Sequence, residues 1–409
     1  MPNSLHVLLQ MKSKKIVRKL IAVILSCSLF GCLRATSILE LPAPTEKDPV
    51  NAVWFSYLDY QETAYNSAEY VFRNTVDEII AELQELGVNT IYVHAVAFTD
   101  AFYKSDIYPQ TQLIGTMEYD PLAIFVEEAK KSDMRVEAWV NPLRSVLVSE
   151  ADLLEGTILK QWIDENNERI RQVDGRYYLN PAYPEVRQLV CSVVEEILDN
   201  YDVDGIQFDD YFYPANTEDR FDAYIFGEEN YLTGISREDF RRNAIDQLVA
   251  DVHDTVKAKS PYLSFGISVA GNLENDLNIY FADPQAWIDA GTIDYLIPQI
   301  YWGFEHPTKP YAETLQEWMA MTENSDTALY AGLAAYKIGT EDIYAGDASA
   351  EWIDNTDILA RQIEYAYASG CKGIALFRYG SLYFPENDKE ENVGKEIINI
   401  KNSLSHFED

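Results

Sequence analysis

The stretch DGIQFDDYFYP, Asp204 to Pro214, begins as a short apolar strand and ends in two adjacent carboxylates wrapped in aromatic rings. Its alternation decides how the chain is built. Ile206 and Phe208 fall on one face of an extended segment, and Gly205, Gln207 and Asp209 on the other. One face is oily and the other polar, with Asp209 at the strand end and Asp210 just beyond. A turn does not need two neighbouring anions, so the pair marks either a capped strand end or a reaction centre.

The same unit recurs along the chain. Short apolar strands are expected at Ala52–Leu58, Thr90–Val96, Arg135–Asn141, Gly205–Asp209, Leu263–Val269, Tyr295–Trp302, Ala328–Ala334 and Gly373–Tyr379. Amphipathic helices lie between them, with Gly87 as a stop and Pro121 and Pro184 in first turns. After the third strand comes a long insertion, with an extra helix expected in LKQWIDENNERIRQV. Eight strands alternating with helices is the count for an α/β fold of the (β/α)8 TIM-barrel type. A doubly wound open sheet is the other arrangement, but no glycine-rich phosphate loop follows the first strand.

In a barrel, alternate strand residues point inward. The inward set is then Tyr92 and His94, Glu137, Trp139 and Asn141, Gln207 and Asp209, and Gln299 and Tyr301. The polar members crowd the C-terminal strand ends, the rim where barrel enzymes hold their active sites. A structural polar core would explain one such layer; four strands sending polar groups to one rim point to a ligand. By period Asp209 is the better candidate for the reacting carboxylate, as nucleophile or base; Asp210, just past the strand end, is the alternative, or holds a loop amide or the next helix. A glycosidase needs a second carboxyl, and Glu305, on the loop after the sixth strand, is the expected proton donor. Glu137 lies deeper, within reach of Arg144 or His94. Asp59 and Glu118 are weaker candidates. His94, Asn141, Arg144, Gln207, Gln299 and Tyr301 are expected to bind hydroxyl or acyl groups, with Trp139, Tyr213 and Trp302 as aromatic walls.

Composition narrows the partners. The 409 residues carry a net charge of −35, which repels nucleic acid. Aromatics make up 13%, including 28 Tyr and 7 Trp, and flat rings stack on sugar faces. The 5 His show no metal-ligand spacing, and there is no Gly-x-Ser-x-Gly elbow. No metal or cofactor is expected. Cys191 and Cys371 are too far apart for a disulfide framework and read as small core residues.

The N-terminus reads as an export signal over residues 1–32: a basic segment, a short apolar stretch, then small residues. Leu29-Phe30-Gly31-Cys32 stands where a bacterial lipoprotein signal has its lipobox, which makes Cys32 a lipidation candidate. Plain secretion is the alternative, and translation from Met11 would keep the same signal. Residues 33–50, with Pro42, Pro44 and Pro49, form a tether to a catalytic barrel over 51–409.

WVNPLR, LNPAYPEVR, VDGIQFDDYFYP, FGIS and IPQIYWGF together resemble the glycosyl-hydrolase-like family 10 group of bacterial envelope proteins, in order from Asn51 to Tyr383. The resemblance implies a TIM-barrel glycoside hydrolase, exported or lipid-anchored, with peptidoglycan glycan strands as the substrate. It matches the family's acidic pair to Asp209 and Asp210 and its polar third-strand end to Asn141 and Arg144. Glu137 departs from it, standing where the family pattern HAWxNP has His. The competing expectation is an envelope lipoprotein that binds glycans without cleaving them.

Overall fold

The computed structural model describes residues 49–406 apart from residue 117. The expected signal, the lipidation candidate Cys32 and nearly all of the expected tether lie outside the described residues. Eight parallel strands close into a barrel: β1 (Val50–Phe55), β2 (Thr90–Val96), β3 (Arg135–Val140), β7 (Gly205–Phe208), β8 (Ser264–Ala270), β9 (Tyr295–Gln299), β10 (Ala328–Ala334) and β11 (Gly373–Phe377), with β11 pairing back to β1. Helices pack outside, giving the expected (β/α)8 architecture.

The alternation read from the sequence is the one seen. Ile91, Val93, Val136, Ala138, Val140, Ile206 and Phe208 belong to the large apolar cluster between strands and helices. Ala52, Trp54, Tyr92, Trp139, Tyr295, Ile297 and Ala375 form a second cluster inside the barrel. Rings fill this interior because neighbouring inward positions are small. A Cβ on Gly266 would meet the Tyr295 ring at 2.1 Å, so glycine there makes room for tyrosine.

The strand edges differ from expectation where local hydrogen bonding wins. The first strand ends at Phe55 rather than Leu58, because Ser56 caps the helix Tyr57–Thr63 in a reciprocal box with Asp59. Asp59 is buried and bound by the Ser56 and Gly380 amides and by Arg378, so its role is in folding.

The insertion corrects the expected extra helix. Its helix covers only Ile158–Asp164, and the second half of that segment is strand β5 (Ile170–Val173). With β6 (Arg176–Leu179) and β4 (Arg144–Leu147) it forms a three-stranded sheet in the order β4-β6-β5. Asp174 and Gly175, at φ 48° and 80°, make the hairpin turn that pairs Val173 with Arg176.

Candidate active site

The C-terminal rim holds a cavity of about 230 Å³. Pockets for drug-sized ligands run from about 300 Å³ upward, so this one suits roughly a single sugar ring. Asp209, Asp210, Tyr211, Trp54, Trp139, Ser268, Gln299, Tyr301, Tyr336 and Phe377 line it. Its aromatic wall is continuous. Phe377 lies 5.9 Å from Trp54 and 6.0 Å from Tyr301, and Tyr301 lies 5.8 Å from Tyr336. A larger surface cavity of about 500 Å³, between the β5–β6 hairpin and residues 216–221, contains none of the expected site residues.

Asp209 directly follows β7 and is 6% exposed. Its Oδ1 accepts from the Asp210 amide at 2.8 Å, Gln299 Nε2 at 3.1 Å and Ser268 Oγ at 3.3 Å. Burial raises its pKa, while these donors, the neighbouring Asp210 carboxyl and the Arg144 charge oppose the rise. Asp210 sits half-buried beside it. Its carboxyl is pushed well up, first by loss of solvent and then by the Asp209 charge, with which it shares a hydrogen bond. Contact between two carboxyls opposes the ionisation of both, and the upward push is the larger on Asp210.

Behind Asp210 stands a third carboxyl, Asp276, 1% exposed. One of its oxygens accepts from the Ala270 amide at 3.1 Å and the other has no hydrogen-bond partner. Burial pushes Asp276 well up, and any charge on it raises Asp210 further.

A polar chain supports the floor. Trp54 Nε1 donates to Gln207 Oε1 at 3.3 Å, and Gln207 Nε2 donates to Ser268 Oγ at 3.0 Å. Asn141 holds the Trp139 ring, accepting from its Nε1 at 3.1 Å. His94 stacks against that ring at 3.7 Å and 10°. Burial and the Arg144 charge hold His94 well below its ordinary pKa, so it is neutral.

Of the residues expected at the site, the fold brings Asp209, Asp210, Trp139, Gln299 and Tyr301 to the cavity. Gln207, Asn141 and His94 stand behind its wall as supports. Arg144 lies at its edge, its guanidinium 4.1 Å from the Tyr211 ring centroid. Tyr213 is 1% exposed and packs against Phe221 and Phe281; the ring that faces the cavity is Tyr211. Trp302 packs near His306, away from the cavity lining. Glu305 is exposed on its loop, where its amide donates to Glu351, and it is not among the lining residues. Glu137 meets neither Arg144 nor His94: Tyr295 Oη donates to it at 2.5 Å and Arg135 at 3.2 Å.

Trp54, Ser268 and Phe377 went unassigned in the sequence reading, although they follow the same inward alternation. Tyr336 lies on a short turn after β10 and carries no such signal.

A family model described as Glycosyl hydrolase-like 10 matches residues 49–354. Glycosyl hydrolase DigH of Escherichia coli (strain K12) is 30% identical over 387 residues, covering 85% of this chain and 87% of that protein. Glycosyl hydrolase YngK of Bacillus subtilis (strain 168) is 28% identical over 428 residues, covering 96% and 77%. Among solved structures, the PgaB (BpsB) glycoside hydrolase domain from Bordetella bronchiseptica aligns over 84% of this chain and 98% of its own, with TM-score 0.55 and 13% identity. The endo-1,4-beta-mannanase from Rhizomucor miehei aligns over 89% and 97%, with TM-score 0.54 and 9% identity. At those identities the likeness is one of fold.

Proposed function

From the premise that the chain belongs to the glycosyl hydrolase-like 10 family and is a glycoside hydrolase, we propose that it cleaves peptidoglycan glycan strands at the cell envelope, using Asp209 and Asp210. The observation that carries the mechanism is the hydrogen-bonded carboxyl pair opening into an aromatic-walled cavity. A sugar ring stacks on these walls and covers the pair. Asp210 delivers its proton to the glycosidic oxygen as that oxygen's bond to the anomeric carbon breaks and the leaving sugar departs as an alcohol; a water then adds to the anomeric carbon and returns its proton to Asp210. Asp209, whose Oδ1 accepts from three donors and which feels the Arg144 charge, stabilises the positive charge that grows at the anomeric carbon. Gln299, Tyr301 and Ser268 orient the ring hydroxyls. Glu305 lies outside the cavity lining, so the acid role goes to Asp210.

The export signal expected from the sequence and the sequence resemblance support the envelope substrate. Lipidation of Cys32 would hold the barrel at the membrane beside that substrate. Incubation with purified glycan strands, read by mass spectrometry, tests the reading. Wild type should release new reducing-end fragments that the Asp209→Asn/Asp210→Asn double variant does not. Release of fragments from another polysaccharide but none from glycan strands would reassign the substrate.

A further inference from the structure

Thirteen arginines lie within the described residues, and eleven have a carboxylate oxygen within 4.0 Å. In a chain with 67 acidic residues against 32 basic ones, that is the expected condition. The two exceptions, Arg144 and Arg176, are neighbours. The Arg144 guanidinium lies 4.8 Å from the Phe98 ring centroid and that of Arg176 lies 4.4 Å from the same centroid. Both belong to the insertion sheet: Arg144 opens β4 and Arg176 opens β6.

Neither is free on the surface. Both are half-buried, and Arg144 Nε is buried with no hydrogen-bond partner. Arg176 gives one Nη1 hydrogen bond to the Ser145 carbonyl at 2.5 Å. Glu150 is the acid whose field reaches Arg176, and its Oε2 accepts from the Leu147 amide at 3.2 Å. Holding two like charges together without a carboxylate is unfavourable in the apo protein. The cost is recovered when an anion reaches both, because guanidinium forks match a planar carboxylate. The position also fits a substrate. Arg144 stacks on Tyr211, which lines the catalytic cavity, and its charge is felt at Asp209.

We infer that Arg144 and Arg176 form an anion subsite that receives a carboxylate carried by the substrate glycan, on a sugar beside the one held over Asp209 and Asp210. The subsite restricts the enzyme to acidic glycans against an otherwise repulsive surface of charge −35. It rests on the glycan-hydrolase reading for its location and adds the charge of the substrate.

The test uses binding, so that it does not depend on turnover. The probe is a peptidoglycan tetrasaccharide with free lactyl carboxylates, compared with the same tetrasaccharide after reduction of its carboxyls to alcohols. Both are titrated calorimetrically into the Asp210→Asn protein. The carboxylate form should bind about 10- to 100-fold more tightly, as expected for a charge-assisted pair. Adding Arg144→Gln or Arg176→Gln should erase most of that difference, and Arg144→Lys should keep part of it. Thermal unfolding checks that each variant is folded. Equal binding of the two forms, binding of neither, or a preference that survives both glutamine substitutions would overturn the subsite. Carboxylate-dependent binding with no cleavage by wild type would leave the subsite standing and remove the assigned substrate.

Discussion

Two buried carboxyl sites stand on neighbouring strands of one barrel, and they differ in what faces them. Glu137 sits in the layer of Gly205, and Asp209 sits four residues further, about 13 Å along the strand direction toward the rim. Burial raises both. Around Glu137 every direction is filled: Tyr295 donates to one oxygen, Arg135 to the other, and rings pack the layer. Around Asp209 the donors converge on Oδ1, and the other side opens on a cavity. A raised pKa alone therefore does not single out a reacting acid. What separates the two sites is the unfilled space beside Asp209, which Glu137 lacks.

The largest expected effect lies at the rim. Asp210→Asn and Asp209→Asn should each lower kcat by about 100- to 10,000-fold, with little change in unfolding temperature. Wild-type kcat/KM should be bell-shaped in pH. It falls on the acid side as Asp209 takes up its proton and on the alkaline side as Asp210 loses its own, the two limbs belonging to the pair. Next comes Tyr211→Ala. This ring is 40% exposed, so its loss should cost about tenfold in KM with little loss of stability.

Glu137→Gln should do the reverse, leaving turnover within a few-fold and altering stability. The folded-state pKa is pushed up to about 7 from an ordinary 4.5. The folded protein thus binds that proton more tightly than the unfolded chain. The contribution is complete below about 4.5 and is lost as pH rises through about 7, on the order of 3 kcal/mol in all. Wild type should therefore lose a few degrees relative to Glu137→Gln across that window in a thermal melt. The smallest effect is expected for Glu305→Gln, within about threefold in kcat/KM, because the residue lies outside the cavity. A large drop there would move the acid to the loop and break the comparison.

The barrel was legible because strands with polar C-terminal ends alternate with long amphipathic helices. The same period put Asp209, Trp139, Gln299 and Tyr301 on the inward face. The insertion was not legible as a sheet: Leu159, Trp162, Ile163, Ile170 and Val173 fit a helical spacing, and only Asp174-Gly175 signals the hairpin. Loop side chains were the other blind spot. In Tyr211-Phe212-Tyr213 the ring that faces the cavity depends on how the loop leaves β7, which put Tyr213 in the core and Tyr211 at the site. Arg144 and Arg176 are 32 residues apart, and only the insertion sheet brings them together.

The division of labour within the pair can be measured directly with two substrates of one glycan. One carries its natural glycosidic bond, and the other a dinitrophenyl leaving group that departs without a proton. Asp210→Asn should lose at least about 100-fold on the first and recover to within about tenfold of wild type on the second, whereas Asp209→Asn should stay impaired on both. Equal losses for Asp210→Asn on the two substrates, or full activity of either variant on the natural bond, would contradict the account.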